Sequence, residues 1–203
     1  MAKIRLSSEL RQKQILDVTL QIISESGIAG VNTSEIAKRV GIVPSALYRH
    51  FENKEALIDA LLDRTHQTLT ENVRKIALKF PSSIENLRRI FLMHLELIMR
   101  YPGIPKLVFS DATVLGSPER KEQIFSIVKT YSKQLTSIVE KGQHEKEILS
   151  TVLPEAVVFS MISFVQHTAL ISNITDGETD LSKSAAIAWN YIEKSIRNNQ
   201  HNK

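Results

Sequence analysis

The sequence predicts an all-α protein of about nine helices, because three observations agree. Apolar residues recur at intervals of three and four along most of the chain, which is the period of a helix with one buried face. Convincing runs of alternating apolar and polar residues, typical of half-buried strands, are missing from it. Glycines and prolines interrupt the helical pattern and mark boundaries. We expect a three-helix, helix-turn-helix head in residues 1–55 and a helical bundle in residues 56–203.

The head and the helix that follows it are predicted from capping residues and apolar spacing. The first helix runs from about Ser8 to Ser26. Two short helices follow, Thr33–Val40 and Pro44–Phe51, and Gly41 separates them. Asn53 is placed to cap a long fourth helix, because its side chain can accept a hydrogen bond from a free N–H group.

Five further helices are predicted in the rest of the chain. The boundaries come from prolines at starts and glycines near ends. Their expected positions are Ile84–Ile98, near Pro105–Ala112, Pro118–Gly142, a helix that opens at Pro154, and Leu181–Asn198 after a turn at Asp176-Gly177. The polar tail Asn199–Lys203 is expected to fray.

The composition is that of a globular protein from a reducing compartment. Hydrophobic residues make up 42% of the chain, and cysteine is absent, which excludes disulfides, thiolate metal sites and a cysteine nucleophile. The N-terminus has no signal-peptide pattern. The most apolar stretch, Ala156–Ser172, contains several polar residues and is short for a membrane span. We therefore expect a cytoplasmic protein with no membrane partner.

The positive charge is concentrated at the N-terminal end. Residues 1–54 hold eight Lys and Arg against five Asp and Glu, a balance of +3 out of the total of +4. A module that binds a polyanion requires such an excess, although charge bias alone is a weak signal.

Residues 33–51 have the pattern of two short helices that cross at a steep angle. Four apolar residues have the spacing that seals such a crossing from inside: Ile36, Val40, Ile42 and Leu47. Ala37 is small where the second helix must pass close, and Gly41 supplies the tight turn. Pro44 starts the second helix with its φ already set. The pattern predicts a helix-turn-helix.

The second helix of this motif is suited to the major groove of DNA, with its N-terminal half facing base edges. It projects three side chains outward: Ser45, Tyr48 and Arg49. Thr33 and Ser34, at the N-terminus of the first short helix, can bind a phosphate there, since the helix dipole favours an anion. Lys54 is placed to reach another phosphate.

These residues also carry a family resemblance. The run Gly27…Thr33-Ser-Glu-Ile-Ala…Gly41-Ile…Leu47-Tyr-Arg-His-Phe-Glu-Asn-Lys54-Glu-Ala-Leu57 resembles the N-terminal domain of TetR/AcrR-type transcriptional regulators, over about Gln12 to Leu62. The resemblance implies that six residues occupy DNA-contacting positions: Thr33, Ser34, Ser45, Tyr48, His50 and Lys54. In that family Tyr48, His50 and Lys54 would contact phosphates, while Ser45 would face the bases. For His50, a local structural hydrogen bond is an equal alternative.

The resemblance further implies a homodimer that binds a near-palindromic, double-stranded DNA operator, often as a repressor. A small-molecule effector would bind a divergent C-terminal domain, and the fourth helix would transmit the change. Six residues are candidates for lining its pocket: Phe91, His94, Phe109, Tyr131, Met161 and His167. Each of these is individually more typical of an ordinary core position. No cofactor is expected.

The last two predicted helices indicate a subunit interface. The eighth is apolar on almost every side, and the ninth carries the only tryptophan. One chain of this size would struggle to cover both helices, whereas a four-helix interface between two copies buries them. The predicted interface residues are Phe159, Ile162, Leu170, Trp189 and Ile192.

Other classes of function have less support. The histidines are scattered without ligand spacing, so no metal site is expected, and no nucleophile elbow or phosphate loop suggests an enzyme. Two alternatives stay open. One is a DNA-binding protein of the nucleoid-occlusion type, with a protein-interaction surface in Tyr101–Asp111. The other is a small-molecule-binding or enzymatic helical protein with a vestigial head.

Overall fold

The computed structural model describes residues 7–110, 117–175 and 181–198. These residues form nine α-helices: α1 Ser8–Ser26, α2 Thr33–Val40, α3 Pro44–Leu47, α4 Lys54–Lys79, α5 Ser83–Arg100, α6 Gly103–Val108, α7 Pro118–His144, α8 Pro154–Ile174 and α9 Leu181–Ile196. A 3-10 turn, Ile28–Gly30, follows α1. Strand-like pairing among the described residues is limited to one bridge, between Ile148 and Arg197. The predicted all-α class is confirmed.

Most helix boundaries agree with the sequence pattern, and the differences are at α3 and α6. This helix ends at Leu47, four residues before the predicted Phe51. Beyond Leu47 the chain forms tight turns, in which the N–H groups of Arg49 and His50 donate to carbonyls three residues earlier. The helix predicted near Pro105–Ala112 is observed as α6, Gly103–Val108. Residues 111–116, the turn at Asp176-Gly177 and the tail Asn199–Lys203 lie outside the described residues.

The chain divides into two compact units, and the division differs from the predicted boundary after residue 55. Unit 1 comprises the described residues of Met1–Thr65 and Tyr101–Ile124, and unit 2 comprises those of His66–Arg100 and Phe125–Lys203. Both α4 and α7 are continuous helices that contribute residues to each unit. The sequence pattern could not reveal this division, because no glycine or proline lies in α4, or in α7 between Glu119 and Lys141.

In unit 1 the first helix is the centre of packing. Helix α1 buries Ile15, Ile22 and Ile23 completely or nearly so, and it contacts both α2 and α6. The contact with α6 requires Gly103, because a Cβ atom there would lie 2.3 Å from the carbonyl oxygen of Leu20. Helix α1 thus packs against both α2 and α6.

Ion pairs fix the first half of α4 within unit 1. The Arg64 guanidinium lies 2.6 Å from the Asp17 carboxylate of α1. Near the start of α7, Arg120 lies 3.0 Å from Asp59 and is itself largely buried. These contacts hold the helix that begins at Lys54, so its first turn has a defined place in the head.

Unit 2 has an apolar core formed by α5, α7, α8 and α9, with residues from the second half of α4. The rings of Phe91 and Trp189 lie 5.9 Å apart at its centre. Helix α8 is the one helix in the described part of the chain that is long and apolar enough to cross a membrane, a test that core helices also pass.

Candidate nucleic-acid interface

The crossing of α2 and α3 is sealed from inside as the spacing predicts. Ile36, Ala37 and Leu47 are almost fully buried, and Ile42 is half-buried. Gly41 has φ +74°, the left-handed conformation that a C-terminal glycine adopts, and the Ile42 N–H donates to the Ala37 carbonyl at 3.0 Å. The apolar side of the motif is therefore fully used for folding, and its other side is free for contacts.

The N-terminus of α2 is capped by a residue that the sequence analysis did not identify. The Asn32 side chain accepts a hydrogen bond from the Glu35 N–H at 2.8 Å. Thr33 is half-buried and Ser34 is exposed at the first two positions of the helix. Since Asn32 performs the capping, both hydroxyl groups remain available for a ligand at this helix end.

Residues predicted to face DNA are exposed on α3 and in the turn that follows it, and Val43 is exposed just before the helix. Ser45 and Arg49 are exposed, and Tyr48 is 55% exposed. Val43, which immediately precedes the helix, is 63% exposed, and its side chain contributes no cap. The signal for Val43 was present in the sequence, because Pro44 marks the helix start and places Val43 just before it, outside the buried spacing.

His50 and Lys54 both make contacts within the head. The Ser8 hydroxyl and His50 Nδ1 lie 3.4 Å apart, a long hydrogen bond that favours the structural alternative for His50. The Lys54 ammonium donates to the Ile28 carbonyl at 3.2 Å. A neutral carbonyl leaves the charge of Lys54 uncompensated, so this residue keeps its capacity to bind an anion.

Three of the predicted DNA contacts border a groove of about 250 Å³. Its lining is mainly apolar and includes the polar residues Thr33, Tyr48 and Lys54. The complete lining is Val31, Asn32, Thr33, Ile36, Leu47, Tyr48, Phe51, Asn53, Lys54 and Leu57. The structure thus brings Thr33, Tyr48 and Lys54 together, although they are up to 21 positions apart in the sequence.

The basic residues of the motif differ in how their charges are compensated. Arg39 pairs with both Glu25 and Glu35, at 2.8 and 2.7 Å. The hydrogen bond from Arg39 lowers the pKa of Glu25, and the same contact raises the pKa of Arg39. By contrast, Lys38, Arg49 and Lys54 form no ion pair with any residue that the structure describes. The available positive charge therefore belongs to these three residues.

The predicted pocket residues are only partly brought together. Phe91, Tyr131 and Met161 belong to the core of unit 2, and His94 contacts Tyr131 there. Phe109 is 59% exposed and belongs to unit 1. His167 is exposed on α8, apart from the buried set. The sequence had suggested that all six residues line one pocket, but the side chains of Phe109 and His167 are exposed.

His94 and Tyr131 form a buried polar pair in unit 2. His94 Nδ1 and the Tyr131 hydroxyl share a hydrogen bond of 3.1 Å, and the two rings meet edge to face. Burial lowers the pKa of His94 to about 4 and raises the pKa of Tyr131. Both groups are therefore neutral near pH 7. Within the described ranges, no three His, Asp or Glu side chains are grouped closely enough to hold a metal ion.

The predicted interface residues fall into two groups. Phe159 and Leu170 are exposed on α8, whereas Ile162 is partly buried against the core. Trp189 and Ile192 lie inside the core of unit 2, at 5% and 2% exposure, and offer no surface to a second chain. The helical period explains the difference. The core face of α9 consists of Ala185, Ala188, Trp189, Ile192 and Ile196, and the large apolar residues exposed in its described part include Ile187 and Tyr191.

Comparison with known proteins finds a family model that matches the part of the chain with the candidate nucleic-acid interface. A sequence model described as "Bacterial regulatory proteins, tetR family" matches residues 15–61. The nucleoid occlusion factor SlmA of Haemophilus ducreyi is 29% identical over 131 residues, which are 64% of this chain and 65% of that protein. The chain thus matches just under two thirds of the length of this curated relative.

Solved structures share the fold over nearly the whole chain. A TetR-family regulator from Agrobacterium tumefaciens has a TM-score of 0.77 and 18% identity, covering 93% of this chain and 98% of that one. The regulator FadR of Bacillus subtilis, solved in complex with stearoyl-CoA, has a TM-score of 0.75 and 21% identity, with coverage of 91% and 99%. At this level of identity the likeness concerns the fold alone.

Proposed function

Because the chain belongs to the TetR/AcrR family of bacterial regulators, we propose that it is a DNA-binding transcriptional regulator acting in the cytoplasm. It binds a near-palindromic operator as a homodimer, and a small-molecule effector changes that binding. The proposal covers the operator, the dimer and the effector, and each has its own support in the structure.

The observation that carries the DNA-binding proposal is the two-sided construction of the α2–α3 motif. Its inner side is sealed by apolar residues, while Ser34, Ser45, Tyr48 and Arg49 are all exposed on its outer side. A folded domain gains no core packing from this outer set. Such a helix pair presents its second helix to the major groove and its polar flanks to phosphates.

Support for the homodimer comes from the apolar residues that unit 2 leaves exposed. Phe159, Leu170 and Ile174 on α8 and Ile187 and Tyr191 on α9 are each at least half exposed. Large apolar side chains on two neighbouring helices are stabilised when a second copy covers them. A dimer would place two heads on the two halves of one operator.

Support for an effector comes from buried polar groups in unit 2. Five of its side-chain atoms are buried without a hydrogen-bond partner among the described residues: His66 Nε2, Ser83 Oγ, Asn86 Oδ1, Gln134 Oε1 and Gln166 Oε1. Leaving such atoms unpaired costs free energy, and a ligand that pairs with one of them would recover it. Stearoyl-CoA is bound by FadR of Bacillus subtilis, and we propose a partly apolar effector for this chain as well.

The test of DNA binding is the salt dependence of affinity for a mixed-sequence duplex. We expect log K for the wild-type protein to fall linearly with log salt concentration, because Lys and Arg displace counterions from phosphates. Lys54→Ala should reduce that slope by about 0.9 for each phosphate that the variant no longer neutralises. Lys133→Ala is the matched control, since it removes one exposed positive charge from α7 in unit 2 and should leave the slope unchanged.

Each outcome of this titration decides a separate part of the proposal. No measurable binding of the wild-type protein at low salt would refute a DNA-binding function. Binding with equal slopes for the wild type and Lys54→Ala would keep the function and remove Lys54 from the contact surface. Equal slope changes in Lys54→Ala and Lys133→Ala would show a general charge effect without a located interface.

A second candidate function is favoured by the curated relatives. Several nucleoid occlusion factors match this chain, among them that of Marinomonas at 30% identity over 129 residues. Under this alternative the protein would bind many dispersed sites and couple them to a protein partner. The predicted partner surface, Tyr101–Asp111, lies in unit 1 except for Asp111, which is outside the described residues. Mapping bound sites relative to promoters distinguishes the two functions.

A further inference from the structure

The N-cap position of α3, which in most helices holds a polar residue, is occupied by the apolar residue Val43. Val43 precedes α3 with extended backbone angles of φ −78° and ψ 146°, and 63% of its surface is exposed. Pro44 and Ser45, the next two residues, are also exposed. Two exposed apolar side chains, Val43 and Pro44, therefore stand in succession at the start of α3.

The neighbouring helices of the head start differently. Ser7 accepts a hydrogen bond from the Leu10 N–H at the start of α1. Asn32 does the same for α2, and Asn53 accepts from the Ala56 N–H at 2.7 Å in the first turn of α4. A polar cap stabilises a helix, and valine is among the poorest capping residues. The Val43 side chain thus caps no N–H group, and with 63% of its surface exposed it adds little to the packing of the head.

The chemistry of base edges supplies a reason for an exposed valine at this position. The helix end that Val43 occupies is the one that faces the bases when a helix-turn-helix enters the major groove. Every base edge in that groove carries hydrogen-bonding groups, and thymine alone adds an apolar group, its C5-methyl. An exposed isopropyl group cannot form hydrogen bonds with the other edge groups, but it can bury surface against that methyl.

We propose that Val43 contacts the C5-methyl group of one thymine in each operator half-site and makes that thymine a specificity-determining base. The inference rests on the proposed DNA-binding function and extends it to the base that is recognised. Ser45 on α3 and Arg49 in the turn that follows it are polar and exposed, and they remain available for hydrogen bonds to neighbouring bases. The half-site therefore carries a methyl-bearing pyrimidine at the position that faces the start of α3.

The test uses two random-sequence duplex libraries, one synthesised with thymine and the other with uracil, which differs only in lacking the methyl group. The full-length protein selects from each library, and the recovered duplexes are sequenced. The wild type should enrich thymine at one position of each half-site in the first library and should lose preference at that position in the second. Val43→Ala should give the same result with both libraries.

Affinities of the recovered duplex give the size of the effect. Replacing that thymine by uracil should weaken wild-type binding about fourfold per half-site, as expected for one methyl group no longer buried. Val43→Ala should bind the thymine duplex more weakly than the wild type by a similar factor and show no further loss with uracil. When the thymine is replaced, the wild type should bind a duplex with 5-methylcytosine at that position more tightly than one with cytosine. Val43→Ala should bind these two duplexes equally.

Two controls keep the result specific to Val43. Thermal unfolding of Val43→Ala should match the wild type, because the side chain is mostly exposed. Leu10→Ala removes another apolar residue of unit 1, 54% exposed on α1, and should keep the wild-type response to thymine and uracil.

The results that overturn the inference are distinct from failure of the proposed function. Equal wild-type affinity for the thymine and uracil duplexes at every position would show that no methyl group is contacted. Full thymine discrimination retained by Val43→Ala would assign the contact to another residue. If the wild type enriches no sequence from either library, the proposed function fails and the inference fails with it.

Discussion

The two units of the chain use their polar residues in opposite ways. In unit 1 the apolar residues of the α2–α3 motif are buried, and its hydroxyl and basic groups are exposed on the other side. In unit 2 the distinctive polar residues, His94 and Tyr131, are buried within the core and hydrogen-bonded to each other. The exposed polar groups of unit 1 can bind a large polar ligand, whereas the buried pair of unit 2 acts within the core of that unit.

This difference determines which function can be inferred from a sequence. The proposed DNA-binding surface is formed by residues 33–54, so its spacing is preserved in one continuous segment. The His94–Tyr131 pair joins α5 to α7, 37 positions apart, and no local pattern predicts that contact. A surface that one segment builds is predictable, whereas an interior that several helices build requires the structure.

The largest expected effect is that of pH on the stability of unit 2. It tests whether the buried His94 responds to pH differently from an exposed histidine. His94 has a pKa of about 4 in the folded protein, below its ordinary value of 6.5. Between these values the unfolded chain binds a proton that the folded chain excludes, so stability is lost as pH falls from 6.5 towards 4. His94→Gln should abolish about 3 kcal/mol of that loss.

The measurement is denaturant unfolding followed by the fluorescence of Trp189, the only tryptophan, which lies in the core of unit 2. His144→Gln is the matched control, because that histidine is exposed at the end of α7. Wild-type and His94→Gln stabilities that fall in parallel with pH would show that His94 is not buried as described.

The next effect concerns the sealed side of the head. Ala37 has no exposed surface where α2 meets α3, so Ala37→Leu must displace the neighbouring chain. We expect destabilisation of about 1–3 kcal/mol by overpacking. Thermal unfolding followed by circular dichroism would measure it, with Ala29→Leu, an exposed site in the same unit, as the control. Equal stabilities of the two variants would contradict the tight crossing.

The smallest effect separates structural from contacting polar residues within the head itself. Asn32→Ala should cost about 1 kcal/mol of stability, because it removes the cap of α2. Ser34→Ala, two positions later, should leave stability unchanged and weaken DNA binding, because that side chain is exposed and caps nothing. Thermal unfolding and DNA titration of both variants measure these effects. If Ser34→Ala lowered stability and Asn32→Ala did not, Ser34 would be the cap of α2.

Particular residues show where sequence reasoning succeeded and where it failed. The bounds of α1 and α2, the left-handed Gly41 and the cap at Asn53 followed from rules that act over a few residues. The placement of Trp189 in the core was not foreseen, because helix α9 has apolar residues on two faces and composition alone does not say which is inward. Phe109 was grouped with residues of the other unit for a similar reason.

The most direct test of the central claim is selective retention of genomic DNA by the head. Wild-type protein and a Tyr48→Ala/Lys54→Ala double variant are incubated with sheared genomic DNA, and the retained fragments are sequenced. We predict that the wild type retains a limited set of fragments with a shared, near-palindromic sequence and that the double variant loses them while remaining folded. Retention of the same fragments by both proteins, or enrichment by neither, would contradict the assignment of DNA binding to this surface.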